Sequence, residues 1–296
     1  MIIRLAQVKD NEHILKIWRA CFSDDQAYID NYLKYCLPYT KTWLLGLEED
    51  LFVSCLSVIP SFTTFNNDIY RGGYIYAVGT LPEHRGNSYS KILINAAIKD
   101  CSLAGLSYML VKPASESLYQ FYIKSTFDVV ISKGLSTFIT ASHVKPNENS
   151  IIASDINASE LFLLRTVSFS DTHFLWPKEI LSYALLEAKS RGGSCKKFQP
   201  SNEKSDHVLY YIAYPDNLNS NKIKVLETNA KNPVEVEALI SVLKNEYPKI
   251  EETEIESSIN FMESVSYTIE RSALLLSFNE GLTNGLAKLH LSLPLE

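Results

Sequence analysis

Apolar residues fall into short alternating or unbroken runs through much of the first half of the chain, with stretches of three-to-four-residue spacing between them. Residues 2–6 read as a short strand. From about Asp10 the pattern turns helical, with Ile14, Leu15, Ile17, Trp18 and Cys21 on one face. A second helix is expected from Asp24 to about Tyr35, with Ser23 as its N-cap. Residues 42–47 and 51–59 read as strands joined by the turn Glu48-Glu49-Asp50. Residues 62–65 and 69–70 flank Asn66-Asn67-Asp68, which suits a hairpin turn. Residues 73–81 form another apolar, β-rich run, followed by a polar turn and a helix over 88–104 with Gly105 at its end. A strand over 107–111, a helix over 116–122 and a closing pair at 127–131 and 135–140 complete this half. Strand and helix patterns in alternation predict an α/β (α+β) fold with helices packed on a sheet.

The polar run Lys145-Pro146-Asn147-Glu148-Asn149-Ser150 reads as a linker, which divides the chain into domains 1–145 and 151–296. In the second, residues 177–190 and 233–246 read as helices, and residues 222–228 and 273–278 as strands. A chain of 296 residues agrees with two domains. Its net charge of −6 argues against nucleic-acid binding, which requires clustered Lys and Arg. The start of the chain has no signal-peptide pattern, and no apolar run is long enough to span a bilayer, so a cytoplasmic protein without a membrane partner is expected. The five cysteines include no CxxC and have no His spaced as a zinc partner, so reduced thiols and no metal are expected.

The segment that carries chemistry is the strand ending Val78-Gly79-Thr80 and the turn Arg85-Gly86-Asn87-Ser88-Tyr89-Ser90 that feeds a helix. A helix N-terminus leaves backbone N–H groups without intrahelical partners. Small residues there let a phosphate approach, the helix dipole favours its negative charge, and Arg85 adds a cation at the mouth.

This run resembles motif A of the GNAT acetyltransferase superfamily, whose cofactor loop reads Q/R-x-x-G-x-G/A. Arg85 and Gly86 are kept, while Ser88 and Ser90 stand at both motif glycines. Downstream, residues 118–127 resemble the family's helix end, with Tyr122 five residues before Phe127 and Thr126 where glycine is usual. The layout is most similar to the Eis-like branch, with a GNAT unit followed by a second, degenerate GNAT-like unit that has no cofactor loop of its own. Each is then expected to be a mixed, mostly antiparallel sheet flanked by helices. This length falls short of the sterol-carrier-like third domain of that branch.

The resemblance implies an N-acetyltransferase that takes acetyl-CoA as cosubstrate. Residues Val78, Gly79, Thr80, Arg85, Gly86, Asn87, Ser88, Tyr89 and Ser90 would bind the cofactor. Backbone N–H groups near residues 78–80 would polarise the thioester carbonyl, and Tyr122 would protonate the leaving thiolate. The bland readings stand beside these: Ser88 and Ser90 as helix caps, Tyr122 as one of 17 tyrosines in the core, and Tyr119 as its competitor. The acceptor is a small-molecule or peptide amine, and the general base is open among Glu83, Glu116, Asp24, Asp25, Glu296 and a water chain. Oligomeric state, including a homo-oligomer, is equally open. The competing class is a non-catalytic acyl-CoA-binding or interaction module of the same fold.

Overall fold

The computed structural model describes residues 1–139, 151–169, 173–200, 207–258 and 266–292. In chain order the first elements are β1 (Ile2–Leu5), α1 (Asn11–Cys21), α2 (Gln26–Asn31), β2 (Lys41–Glu48), β3 (Leu51–Phe65), β4 (Asp68–Thr80), α3 (Tyr89–Leu103), β5 (Tyr108–Val111), α4 (Glu116–Ser125) and β6 (Val129–Ile139). Then follow β7 (Ser154–Asp155), α5 (Ala158–Phe169), α6 (Lys178–Ser190), β8 (Ser194–Phe198), β9 (Leu209–Pro215), β10 (Lys222–Thr228), α7 (Pro233–Glu246), β11 (Glu252–Ser257), β12 (Thr268–Ser277) and α8 (Glu280–Leu286). The chain forms two compact units that interleave in sequence. Unit 1 comprises Met1–Ile131, Leu175–Tyr183 and Ala273–Lys288, and unit 2 comprises Ser132–Phe174, Ala184–Ser272 and Leu289–Glu296. The expected linker at 145–150 lies outside the described residues, as does the candidate base Glu296.

In unit 1, β1 to β4 pair antiparallel in sequence order, and β5 then joins β4 in parallel. The parallel step is made by the crossover through α3, as a parallel pair requires. Residues 274–277 of β12 close the order beside β5, antiparallel. The core of this unit packs Ile14 and Ile17 of α1 and Leu93, Ile94 and Ala97 of α3 against Leu44, Val53, Leu56, Ile75 and Met109 of the strands. In unit 2 the order is β6, β11, β10, β9, β8, β7, again antiparallel except for the single parallel pair β10–β11. Helix α7 makes that crossover and buries Val236, Leu239, Val242 and Leu243 against Tyr211, Val225 and Ile255. Each unit is therefore a mixed, mostly antiparallel sheet flanked by helices.

Several expectations change in detail. Two strands were expected on either side of Pro60, yet β3 runs unbroken through it. The ladder with β2 ends at Lys41–Val58, so at Pro60 only β4 is paired and a missing N–H is tolerated. Gly72 and Gly73 likewise do not break β4. A Cβ on Gly72 would lie 2.1 Å from the Tyr108 ring and one on Gly73 2.4 Å from Val58, so both positions are kept small by their neighbours. The hairpin at Asn66-Asn67 forms with φ of 53° and 68°. Helix α2 is capped by Asp25, whose carboxylate accepts from Tyr28 N–H at 2.8 Å, and not by Ser23. The expected pair at 127–131 and 135–140 is one continuous β6, because residues 134–139 pair along β11.

The Tyr108 ring is fully buried and cannot move away from a new methyl group. Gly72→Ala should therefore lower the unfolding free energy by about 1–3 kcal/mol, read as a drop in urea midpoint, and an unchanged midpoint would contradict the packing.

Candidate active site

The site is made where β4 leaves β5. Their parallel ladder runs from Gly72–Tyr108 to Ile75–Val111 and stops there. Immediately beyond, the pairing of β4 with β3 shifts register between Ser57–Tyr76 and Cys55–Gly79, which is a β-bulge. Ala77 sits in this bulge with φ of 50°, a left-handed conformation unusual for a residue with a side chain. A bulge bends its strand and re-aims the groups beside it. Residues 76–80 thus remain on β3 while the β5 side of β4 is open.

Side chains pin the strand after the bulge. Ser54 Oγ donates to the Gly79 carbonyl at 2.8 Å and lies 2.9 Å from Thr80 Oγ1. The Cys21 thiol donates to the Thr80 carbonyl at 3.2 Å, and so does Arg85 Nε at 3.2 Å. Gly79 lets α1 approach, since a Cβ there would be 3.0 Å from Ile17 and 3.2 Å from the Cys21 sulfur.

The turn after β4 holds two residues at positive φ, Gly86 at 84° and Ser88 at 59°. Asn87 Nδ2 donates to the carbonyls of His84 at 3.1 Å and Arg85 at 3.4 Å and so braces the turn. Ser88 is the N-cap residue of α3, yet its side chain makes no capping bond. The first-turn N–H groups of Tyr89, Ser90 and Lys91 are consequently not taken by a cap, and the dipole of a 15-residue helix adds to their pull on an anion. Gly86, Asn87 and Ser88 are exposed, and space beyond Gly86 is open, with no atom within 4 Å of an added Cβ. Arg85 is exposed and has no acidic partner among the described residues.

Tyr122 is on α4, 5% exposed, with its ring against Phe121 and Phe127 at 5.1 and 5.9 Å. Burial pushes its phenol above the ordinary value, so it holds its proton. Burial, and after it the phenols of Tyr122, Tyr28 and Tyr119, push the phenol of Tyr74, three residues before the bulge on β4, above the ordinary value. Thr126, expected at a glycine position, has φ of 173°, extended backbone open to any residue.

An aromatic wall that sequence reasoning missed borders the bulge. Trp18 of α1 stands 4.4 Å from Tyr32 and 6.1 Å from Tyr76, and Trp176 stands 5.7 Å from Tyr74. Hydroxyls of Tyr28 and Tyr76 are in contact. Only the strand alternation of Tyr74 and Tyr76 could have signalled it. Of the carboxylates considered as bases, Asp24 accepts from the Trp18 indole N–H at 2.8 Å. Asp25 is committed to its cap, Glu83 is exposed on the turn, and Glu116 accepts from Gln120 at 3.1 Å.

Unit 2 has a similar strand and crossover helix but differs at the helix start. The β10–β11 ladder ends at Val225–Ile255, and β10 shifts register between Val225 and Glu227. The helix that follows is closed, however. Asn232 Oδ1 accepts from Glu235 N–H at 3.0 Å, Glu235 in return accepts from Lys231 N–H at 2.6 Å, and Pro233 offers no N–H.

Residues 2–123 match the family model of the acetyltransferase (GNAT) domain. This segment is a GNAT acetyltransferase domain. A probable N-acyltransferase from Enterococcus faecalis superposes with a TM-score of 0.74 at 13% identity, over 93% of this chain and 72% of that one. A GCN5-related N-acetyltransferase from Anabaena variabilis gives 0.69 at 14% identity, over 94% and 73%. Eis1 from Mycobacterium abscessus gives 0.67 at 12%, over 94% and 74%. At these identities the likeness is one of fold, and it covers residues of both units. No curated protein has a matching sequence. The GNAT fold supports acyl transfer, and the bulge, the turn and the open N-terminus of α3 lie within the matched segment.

The left-handed Ser88 is the point where serine stands for a motif glycine, and an L-residue there is strained by about 1–2 kcal/mol. Ser88→Gly relieves this against the greater freedom of glycine in the unfolded chain, about 0.5–1 kcal/mol. Stability should hold or rise by up to about 1.5 kcal/mol, whereas Ser88→Val should lose stability, because a β-branched side chain fits positive φ worse than serine does. A glycine variant less stable than the valine variant in urea unfolding would contradict the assigned conformation.

Proposed function

We propose that the protein is an N-acetyltransferase that moves an acetyl group from acetyl-CoA to a primary amine by direct attack. The observation that carries this is the uncapped N-terminus of α3 behind Gly86 and Ser88 at positive φ, beside Arg85, which has no ion pair among the described residues. The cofactor's pyrophosphate is received by the N–H groups of residues 86–90, with Arg85 as the added cation. The acyl arm follows the open side of β4, where backbone N–H groups around Val78, Gly79 and Thr80 polarise the thioester carbonyl and stabilise the oxyanion. Unit 2 takes no part in cofactor binding, because α7 begins with a closed cap.

Tyr122 supplies the proton to the departing thiolate. Its raised pKa keeps the phenol protonated across the neutral range. The amine enters beside the aromatic wall, where ring faces and the carboxylate of Asp24 favour a cation. Asp24 orients this ammonium, and a water or one of the other carboxylates takes its proton before attack.

Calorimetric titration with acetyl-CoA, followed by thiol release with a panel of amines, tests the reading. Binding with amine-dependent thiol release is expected. Binding without release from any amine would identify a non-catalytic acyl-CoA module instead, and no binding would remove the cofactor assignment. Tyr122→Phe should lower kcat by about 10²–10⁴-fold with acetyl-CoA affinity retained. The sign of the pH effect follows from the raised pKa. The acid form is the active one, so a loss of rate through Tyr122 sets in only above the ordinary phenol value of about 10. A full-rate Tyr122→Phe enzyme would make this tyrosine a core residue alone.

A further inference from the structure

At the end of unit 1 remote from the cofactor turn, the strands outrun the helix that covers them. β3 has 15 residues and extends ~50 Å at ~3.3 Å each. α3 also has 15 residues but rises only ~22 Å. Beyond its end the sheet continues with a single apolar face. Val58, Pro60 and Phe62 alternate along β3 and point the same way, and Ile69 and Arg71 of β4 share that face because Arg71 lies opposite Phe62. Lys41 of β2 lies opposite Val58. With Leu106 just past α3, these residues line a pocket of ≈ 380 Å³.

The chemistry of this pocket is one-sided. Its walls are largely hydrocarbon and aromatic, and among the described residues no carboxylate lines it. The two charged side chains in the lining, Lys41 and Arg71, are both cations, both exposed, and neither has an ion pair among the described residues. The nearby Asp100 accepts from the Trp43 indole and does not line the pocket. A small hydrophilic anion would gain nothing from the apolar wall, and an apolar amine would meet two like charges. The complementary ligand has an apolar body and a single anionic head.

We propose that this pocket binds a medium-chain monocarboxylate, with its tail on the face of Val58, Pro60 and Phe62 and its carboxylate held by Lys41 and Arg71. The site is separate from the cofactor turn, at the opposite ends of both β4 and α3.

Calorimetric titration of the full chain with sodium decanoate, below its micelle concentration, is the test. Saturable binding of one decanoate per chain is expected, with none for decylamine, which carries the same tail and the opposite charge. Each charge-assisted contact removed should weaken binding about tenfold. The Lys41→Ala/Arg71→Ala double variant should then bind about 100-fold more weakly, at an unchanged melting temperature since both residues are exposed. Decanoate affinity should be the same with and without excess acetyl-CoA. Absence of saturable binding, equal binding of decylamine, unchanged affinity in the double variant, or displacement by acetyl-CoA would each overturn the assignment.

Discussion

The β5 side of β4 is paired only as far as Ile75, and from Ala77 onward the strand follows β3 alone. The register shift at Ala77 follows directly on the last β4–β5 pair and bends the strand there, so the bulge marks where the sheet opens. Everything assigned to the site hangs on that position. The bulge aims residues 78–80 toward the opening, and Ser54, Cys21 and Arg85 then pin the Gly79 and Thr80 carbonyls behind it. The turn that follows delivers the N-terminus of α3 to the same side. Without the departure of β4 from β5, Arg85 and Ser88 would sit at the end of a closed sheet with nothing to line.

The two units make a comparison within one chain. Both contain a bulged strand, a crossover helix and a parallel partner strand whose ladder ends four residue pairs after it begins. They differ at the helix start. Pro233 removes one first-turn donor of α7 and Asn232 takes another, the Glu235 N–H, while Ser88 leaves those of α3 without a side-chain partner. One topology can therefore leave the start of its crossover helix uncapped or cap it. The fold alone does not distinguish these outcomes.

Much of this was legible in the sequence because it rests on local chemistry. The Asn66-Asn67 turn, the helix after Ser88, β10 and α7 follow from turn residues, spacing and caps that act within a few positions. What could not be read depends on partners far along the chain. Pro60 looked like a strand end, but it is harmless where β2 has already stopped. Residues 69–70 and 73–81 read as separate runs, but Gly72 and Gly73 lie within one strand and make room for Tyr108 and Val58. Ala77 carries no sign of its positive φ, because alanine is an ordinary strand residue and only the register between β3 and β4 imposes the bulge. The aromatic wall needed α1, α2, β4 and Trp176 together, and no single window of sequence holds them. Spacing to Phe127 marks Tyr122, but its depth in the core follows from packing that spacing does not reveal.

Amide hydrogen exchange on the full chain with and without acetyl-CoA addresses the central claim most directly, because both helix starts report in one experiment. Exchange should slow at residues 86–91 and along residues 76–80, while residues 230–236 stay unchanged, the Glu235 N–H being already capped and Pro233 having none. Protection at 230–236, or none at 86–91 under saturating acetyl-CoA, would contradict the assignment of the cofactor to the open helix of unit 1.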